Sequence, residues 1–292
     1  MHVEYGYVVE IITLEPTVGV VRLDIHPSHR SEITKSDKLV ALALADNAVI
    51  GIEDYKLDQF QNIRRNVPIP SGGIRLEAIG AVYQSGFVEQ SFAHSKLASI
   101  AELPSEVHIF LSSSRLCDLE GLATIAKLDG LNAGDCEGAV AEILSFMQRT
   151  VRTVSSADGI GRTASQTLLE RLGTDQDLAH LAIGLCRLRG LPARYCSGYL
   201  CLHGRNETTF LQNWFEVYFA EQWWPFDASP SVPAVGRLPI SIGRDASDCA
   251  VIEIEGNPVA YEGRFFTEEV SGERFPMTSL QRREHWHRNP KR

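Results

Sequence analysis

Residues 174–189 constrain the fold of this chain more than any other stretch. Thr174 is a favoured helix N-cap residue, and apolar side chains then recur at helical spacing as far as Arg189. Acidic residues occupy the first turn and arginines the last, which suits the helix dipole. Gly190 provides a left-handed stop, and Pro192 prevents the helix from continuing. The stretch therefore predicts one long, mostly apolar helix with a polar amino-terminal end.

Strand-like runs follow this helix and also precede it. After Pro192, β-branched and aromatic residues predict strands over residues 194–202, 214–219, 223–226 and 249–255. Near the amino terminus, short runs separated by Pro, Gly, Asp and Asn predict strands over residues 8–12, 18–25, 39–44, 49–52 and 74–82. The second group indicates an antiparallel β domain that comes before the helix.

The character of the chain changes near residue 100, and we place a domain boundary there. A strand-like run at 107–111 is followed by helical periodicity over 116–125, a helix over 136–151 and a short helix that Thr163 caps. We therefore predict an α+β fold of two domains. Residues 1–100 form an N-terminal antiparallel β domain, and residues 101–292 form a core domain with a C-terminal β extension.

Composition excludes several classes of function. The chain has 28 basic and 37 acidic residues, a net charge of −9, so it lacks the electrostatic footprint of a nucleic-acid-binding protein. It contains no apolar run long enough to predict a membrane-spanning helix, and its first residues do not resemble a secretory leader, so we expect a cytoplasmic protein. Six cysteines without a C-x-x-C pair indicate reduced, buried thiols, and we predict neither a metal nor another cofactor. The oligomeric state is left open.

Five segments in fixed order give the chain a specific resemblance. They are Gly173–Leu181, Gly190–Tyr199, Asn213–Tyr218, Trp224–Ser229 and Gly243–Asp248. Together they resemble the bacterial transglutaminase-like family, which belongs with the papain-like thiol enzymes, over roughly residues 100–265. The resemblance implies a core of helices packed on an antiparallel sheet. It also implies that Trp214, Trp223 and Trp224 wall the cleft, with packing in an aromatic core as the alternative.

The family's catalytic positions carry other residues here. In that family a Cys opens the helix, a His precedes the x-Trp-x-Glu-Val strand and an Asp follows the Trp-x-x-Phe strand. The matching positions hold Asp175, Gln212 and Asp227. A thiolate is the nucleophile in this chemistry, and a histidine takes up and returns the proton. A carboxylate at a helix amino terminus is a weak base, and glutamine does not titrate near neutral pH. We therefore expect these three triad-equivalent residues to be inactive in acyl transfer.

Three functions remain open at this point. The first is a binding or scaffold pseudoenzyme that holds a peptide or protein ligand in its cleft. The alternative is a hydrolase or amidase in which the Asp175 or Asp227 carboxylate activates water. The third is a purely structural partner of another protein. A metal between Asp175 and Asp227 is disfavoured because no further oxygen ligand is evident, and Asp175 with Asp177 is also explained by helix capping.

Other polar residues have structural explanations. We expect His180 to be a hydrogen-bonded histidine of the core or of the helix surface, and Asp245 and Asp248 to tie a turn through Asx-type hydrogen bonds. Cys186 lies too far along the helix to reach its amino-terminal end, about 16 Å away at 1.5 Å per residue. Cys196 and Cys201 lie an odd number of residues apart, so they point to opposite faces of one strand.

Overall fold

The computed structural model describes residues 1–84, 100–126, 135–154, 161–229, 236–256 and 259–270. Its fold is α+β, as the sequence predicts. The strands are β1 (His2–Ile12), β2 (Thr17–Val21), β3 (Ile33–Lys35), β4 (Val40–Ala43), β5 (Lys56–Leu57), β6 (Ile63–Ile69), β7 (Ile74–Tyr83), β8 (Arg152–Thr153), β9 (Leu172–Gly173), β10 (Ala193–Cys201), β11 (Arg205–Thr208), β12 (Gln212–Phe219), β13 (Gln222–Phe226), β14 (Gly236–Gly243), β15 (Ile252–Ile254) and β16 (Ala260–Val270). The α-helices are α1 (Leu119–Ile125), α2 (Cys136–Thr150), α3 (Ala164–Glu170) and α4 (Asp175–Leu188).

Two antiparallel sheets form the amino-terminal part of the molecule. One has the strand order β11-β16-β1-β7-β3, with β4 also paired to β7, and the other has the order β15-β2-β6-β5. Residues of β7 alternate between buried and partly exposed positions, so one face of this strand belongs to the core. Strand β16 pairs with β1 over the full length of both strands. The C-terminal strands therefore complete sheets that the first eighty-four residues begin.

The helical core surrounds α4. This helix packs against strands β10 and β12 of a third sheet, whose order is β13-β12-β10-β14, and it is buried at every residue from Asp177 to Arg187. Helices α1, α2 and α3 cover its other sides. The buried Arg187 guanidinium donates to the backbone oxygens of Ser112, Ala193 and Arg244. It thereby ties the loop before α1 and the loop after β14 to the end of α4.

The local signals for helices are confirmed, and two strand predictions are wrong. Helix α4 begins after Thr174 and ends before Gly190, whose φ is +76°. The run at 107–111 lies in a 3₁₀ helix, Ser105–Leu111, where Val107 and Phe110 are buried three residues apart. Residues 49–52 form a single isolated bridge between Val49 and Leu42 instead of a strand.

Some sequence predictions lie outside the described residues. These include residues 155–160 of the Ser-Gly-rich connector and the basic C-terminal tail at 281–292. The domain boundary near residue 100 adjoins the undescribed stretch 85–99 and stays a prediction. No helix within the described ranges has the length and apolar character needed to cross a bilayer.

Candidate functional site

A cavity of about 1260 Å³ opens beside the amino-terminal end of α4. Its walls come from the start of α4, from β10, from the beginning of β12, from the segment after β13 and from β16. Asp175, Gln212 and Asp227 all line this cavity. The fold thus brings the three positions that the sequence singled out to one place, where they can meet the same ligand.

A capping box fixes the end of α4 that faces the cavity. The Thr174 hydroxyl accepts a hydrogen bond from the Asp177 backbone N–H at 3.3 Å, and the Asp177 carboxylate accepts one from the Thr174 backbone N–H at 3.0 Å. The other Asp177 oxygen accepts from the backbone N–H of Arg162 at 2.9 Å. Thr174 and Asp177 therefore form the capping box between them, and Asp175 takes no part in it.

Asp175 is the first residue of α4, and its side chain is exposed to the cavity. Within the described part of the chain it makes no hydrogen bond and no ion pair. The positive end of the helix dipole lies at this end of α4. This position therefore presents an unpaired negative charge where a thiol enzyme would present its nucleophile.

Two residues with side-chain amides line the cavity at the beginning of β12. Gln212 begins β12, pairs with Gly198 of β10 and donates from Nε2 to the backbone oxygen of Phe210 at 3.4 Å. Its neighbour Asn213 pairs with Ser197. Because Phe215, two residues further along β12, packs in the core around α4, strand alternation also places Asn213 on the α4 face of the sheet. Amides in these positions can donate and accept hydrogen bonds, but they cannot transfer a proton near neutral pH.

Asp227 is held by Arg237. The two side chains form a bidentate pair, with both N–H···O distances at 2.9 Å. Arg237 is only 8% exposed and also lies over the Trp214 ring, 5.4 Å from its centroid, whereas Asp227 is 24% exposed. Both carboxylate oxygens of Asp227 are thus engaged by one buried guanidinium. Asp227 is therefore a structural anion at the cavity wall and a poor candidate for a general base.

The sequence left open whether His180 lies in the core or on the helix surface, and the structure places it in the core. Its Nε2 accepts a hydrogen bond from the Ala246 backbone N–H at 3.2 Å, and its ring stacks on Tyr195 with centroids 5.3 Å apart. Burial, the largest cause, lowers the pKa of His180 to about 4. A neutral imidazole that already accepts a backbone hydrogen bond stabilises the fold and is not available as a proton relay.

All six cysteines carry free, buried thiols, as the sequence predicts. Burial is the main cause that raises the pKa of Cys117 and of Cys186 to about 12, and it raises the pKa of Cys249 well above its ordinary value. Cys249 belongs to the cavity wall but is 4% exposed. Nucleophilic attack requires a thiolate, so Cys117, Cys186 and Cys249 lack the electrostatic environment of a catalytic cysteine.

The charged residues that line the cavity are acidic. Its described lining residues include three aspartates but no lysine, arginine or histidine. Asp177 and Asp227 are paired with arginines that lie behind the wall, at 3.6 Å and 2.9 Å, which leaves Asp175 as the uncompensated charge. Among the described residues, no three His, Cys, Asp or Glu side chains form a group that could hold a metal ion.

Several lining residues were missed by the sequence analysis. Phe210, Tyr261 and Phe265 form an aromatic part of the wall, and the last two come from β16. Only the long-range pairing of β16 brings them here, and no local pattern in the sequence signals that pairing. The three tryptophans, in contrast, do not line the cavity: Trp214 is fully buried beside Cys196 and Ile242, on the sheet face away from α4. The alternative of an aromatic core is therefore confirmed for Trp214.

The turn after β14 has the structural role expected for it. Asp245 is fully buried and accepts hydrogen bonds from the backbone N–H groups of Leu116 and Ser247, both at 2.8 Å. Asp248 pairs with Arg244 at 2.8 Å. These contacts fasten the turn to the segment before α1, and neither aspartate lines the cavity.

Comparisons with known proteins agree with this architecture. Residues 129–228, which include Asp175, Gln212 and Asp227, match the model of the transglutaminase-like superfamily. An uncharacterized protein of Mycobacterium leprae is 26% identical over 121 residues, which are 39% of this chain and 43% of that protein. The match thus spans less than half of the relative's length.

A solved structure is similar over almost the entire chain. The 1.9 Å crystal structure of a candidate cysteine protease from Cytophaga hutchinsonii superposes with a TM-score of 0.74 at 20% sequence identity. The match covers 96% of this chain and 95% of the other. At this identity the likeness establishes the shared fold, including the amino-terminal sheets, and nothing about activity.

Proposed function

Since this chain carries a transglutaminase-like core, we propose that it is a binding or scaffold pseudoenzyme. Its cleft holds a peptide or protein segment and carries out no thiol chemistry. The single observation that supports this most strongly is the composition of the cavity where the catalytic residues would meet. An exposed carboxylate, Asp175, takes the place of the nucleophile, and an amide, Gln212, takes the place of the histidine.

The third position gives independent support. Catalysis in this family needs an aspartate that orients the histidine, but both oxygens of Asp227 accept hydrogen bonds from Arg237. No other described residue of the cavity wall offers a substitute, because Cys249 is a buried thiol with a raised pKa and the lining contains no histidine. Loss of a single triad member typically lowers kcat by about 10⁴-fold or more.

The rival function is hydrolysis with a carboxylate as the general base. Both oxygens of Asp227 accept hydrogen bonds from Arg237, and Asp175 has no partner among the described residues that would orient it as a general base. The rival is tested with the Asp175→Asn and Asp227→Asn variants on a panel of esters and amides. A pH-rate profile that loses its acidic limb in one variant would establish hydrolysis, and we expect no rate in any form of the protein.

The proposal is tested by measuring turnover. The unmodified protein is incubated with a fluorescent amine and a glutamine peptide, and separately with peptide amide substrates, beside an active thiol enzyme that validates each assay. The Asp175→Cys, Gln212→His double variant restores two of the family's residues, and the Asp175→Ser, Gln212→His variant is its matched control without the thiol. We expect no turnover by the unmodified protein. Robust turnover would overturn the proposal.

A cytoplasmic location is part of the proposal. Its support is the thiol chemistry, because all six cysteines are free and a reducing compartment keeps thiols in that state. Cell fractionation with an antibody against the native protein tests it. Recovery in a membrane or an oxidising compartment would contradict the location without affecting the proposed loss of catalysis.

A further inference from the structure

We propose that the cleft selects a peptide segment with a cationic side chain, Lys or Arg, next to an apolar one. The cationic group pairs with Asp175, and the apolar side chain lies against Phe210 and Tyr261, the two exposed residues of the aromatic wall that also contains the buried Phe265. This inference rests on the proposed binding function and specifies its ligand.

The first step is the charge of the cavity. Asp175 is exposed to it and has no partner among the described residues, and no described lining residue is cationic. The local field therefore favours a cation and opposes an anion. A carboxylate and a cationic group also form charge-assisted hydrogen bonds, which are about twice as strong as neutral ones.

The second step is the aromatic wall. Phe210 is 60% exposed and Tyr261 is 42% exposed, although large aromatic side chains are usually buried. Gly263 separates Tyr261 from Phe265 on β16. A methyl group at Gly263 would lie 2.9 Å from the Tyr261 hydroxyl and 3.0 Å from the Phe265 ring, so the glycine lets the two rings approach each other. The wall therefore offers a surface against which an apolar side chain can pack.

The third step is the peptide backbone. Gln212 and Asn213 both line the cavity, and their amides can donate and accept hydrogen bonds. Peptide groups need such partners when they leave water. A cavity of about 1260 Å³ has room for several residues of an extended chain. Charge, aromatic surface and amides together favour a basic, apolar peptide over a sugar or an acidic ligand.

The experiment measures binding of defined peptides to the full chain by isothermal titration calorimetry. Blocked peptides of the form acetyl-Gly-Phe-Xaa-Phe-Gly-amide carry Lys, Arg, norleucine or Glu at the variable position. Norleucine keeps most of the length of lysine and removes its charge. We expect the Lys and Arg peptides to bind about tenfold tighter than the norleucine peptide, as charge-assisted pairing implies, and the Glu peptide to bind weakest. The preference should shrink as salt is raised, because exposed charges are screened.

Two variants assign the preference to its source. Asp175→Asn removes the charge with little change in shape, and it should reduce the preference for Lys over norleucine to about twofold or less. Asp54→Asn is the matched control, because Asp54 is exposed and does not line the cavity, and it should leave the preference unchanged. Tyr261→Ala should weaken the binding of the Lys peptide and of the norleucine peptide by a similar factor of about three, because both peptides lose the same apolar contact.

The outcomes separate this inference from the proposed function. Equal binding of Lys and norleucine peptides, a preference that survives Asp175→Asn, or no binding of any peptide would overturn the inference. Peptide binding without charge preference would leave the pseudoenzyme proposal intact. Turnover of a bound peptide by the unmodified protein would overturn the pseudoenzyme proposal but not the selection of a cation.

Discussion

The buried His180 makes the stability of the protein depend on pH in a defined way. Burial lowers its pKa to about 4, whereas in the unfolded chain it titrates near 6.5. Between these values the unfolded chain binds the proton and the native protein does not. The contribution of His180 to stability is therefore complete above pH 6.5 and is lost as the pH falls toward 4. The difference of 2.5 pKa units corresponds to about 3 kcal/mol of unfolding free energy.

Burial of the ring is the main physical reason, and the geometry of one hydrogen bond acts in the same direction. Nε2 accepts a hydrogen bond from the Ala246 N–H, so a proton on this nitrogen would place a donor against a donor. The ring is also fully buried, which penalises the charged form. Both effects oppose a role for His180 as an acceptor of substrate protons.

The assay is urea unfolding of the native protein and of the His180→Gln variant from pH 7 to pH 4. Other groups that titrate in both proteins cancel in the difference between their free energies of unfolding. We expect the native protein to lose its advantage over the variant by about 3 kcal/mol across this range. NMR of the imidazole gives the native pKa directly. A native pKa near 6.5, or a difference that does not change with pH, would refute the reasoning.

Three further predictions follow from other buried contacts. Arg237→Met should lower the free energy of unfolding by about 2–3 kcal/mol, and a double-mutant cycle with Asp227→Asn should give a coupling energy above about 1 kcal/mol. Arg244→Met is the control, and it should cost less than about 1 kcal/mol because its ion pair is more exposed. A coupling energy near zero would show that Arg237 does not hold Asp227. Asp245→Asn should lower the free energy of unfolding by about 2 kcal/mol near neutral pH, and this cost should decline as the pH falls below about 4. The reason is that burial raises the pKa of Asp245 but hydrogen bonds from the backbone and from Ser247 lower it by more. Urea unfolding at several pH values measures the cost, and a cost that rises on acidification would contradict the prediction. A thiol reagent such as dithionitrobenzoate should label the native protein slowly at pH 8 and all six thiols after unfolding, because every thiol is buried; one rapidly labelled native thiol would contradict this.

The sequence predicts the elements whose signals are local. The N-cap at Thr174, the stop at Gly190 and the periodicity between them define α4 almost to the residue, because capping and dipole effects act within one turn. The order of the motifs also identifies the three positions that meet at the cavity. The strand predicted at 107–111 is wrong because short apolar runs fit a strand and a helical turn equally well.

The aromatic part of the cavity wall could not be predicted from the sequence. Tyr261 and Phe265 reach it because β16 pairs with β1, more than two hundred residues away in the chain, and strand pairing leaves no local signature. The pairing of Asp227 with Arg237 is likewise a product of the fold, because β13 and β14 are the two edge strands of their sheet and no local pattern links the residues that they carry. Both features bear on function, and both require the structure.

The most direct test of the central claim is a search for an acyl-enzyme. Thiol catalysis passes through a covalent acyl intermediate, so an activated ester such as p-nitrophenyl acetate should leave an acyl group on any competent cysteine. The protein is mixed with the ester at neutral pH, and its intact mass is measured over time beside that of an active thiol enzyme. We predict that the native protein keeps its unmodified mass while the active enzyme gains one acyl group. A stoichiometric adduct on a cysteine of the cavity wall, such as Cys249, would contradict the claim that this cleft has no thiol chemistry.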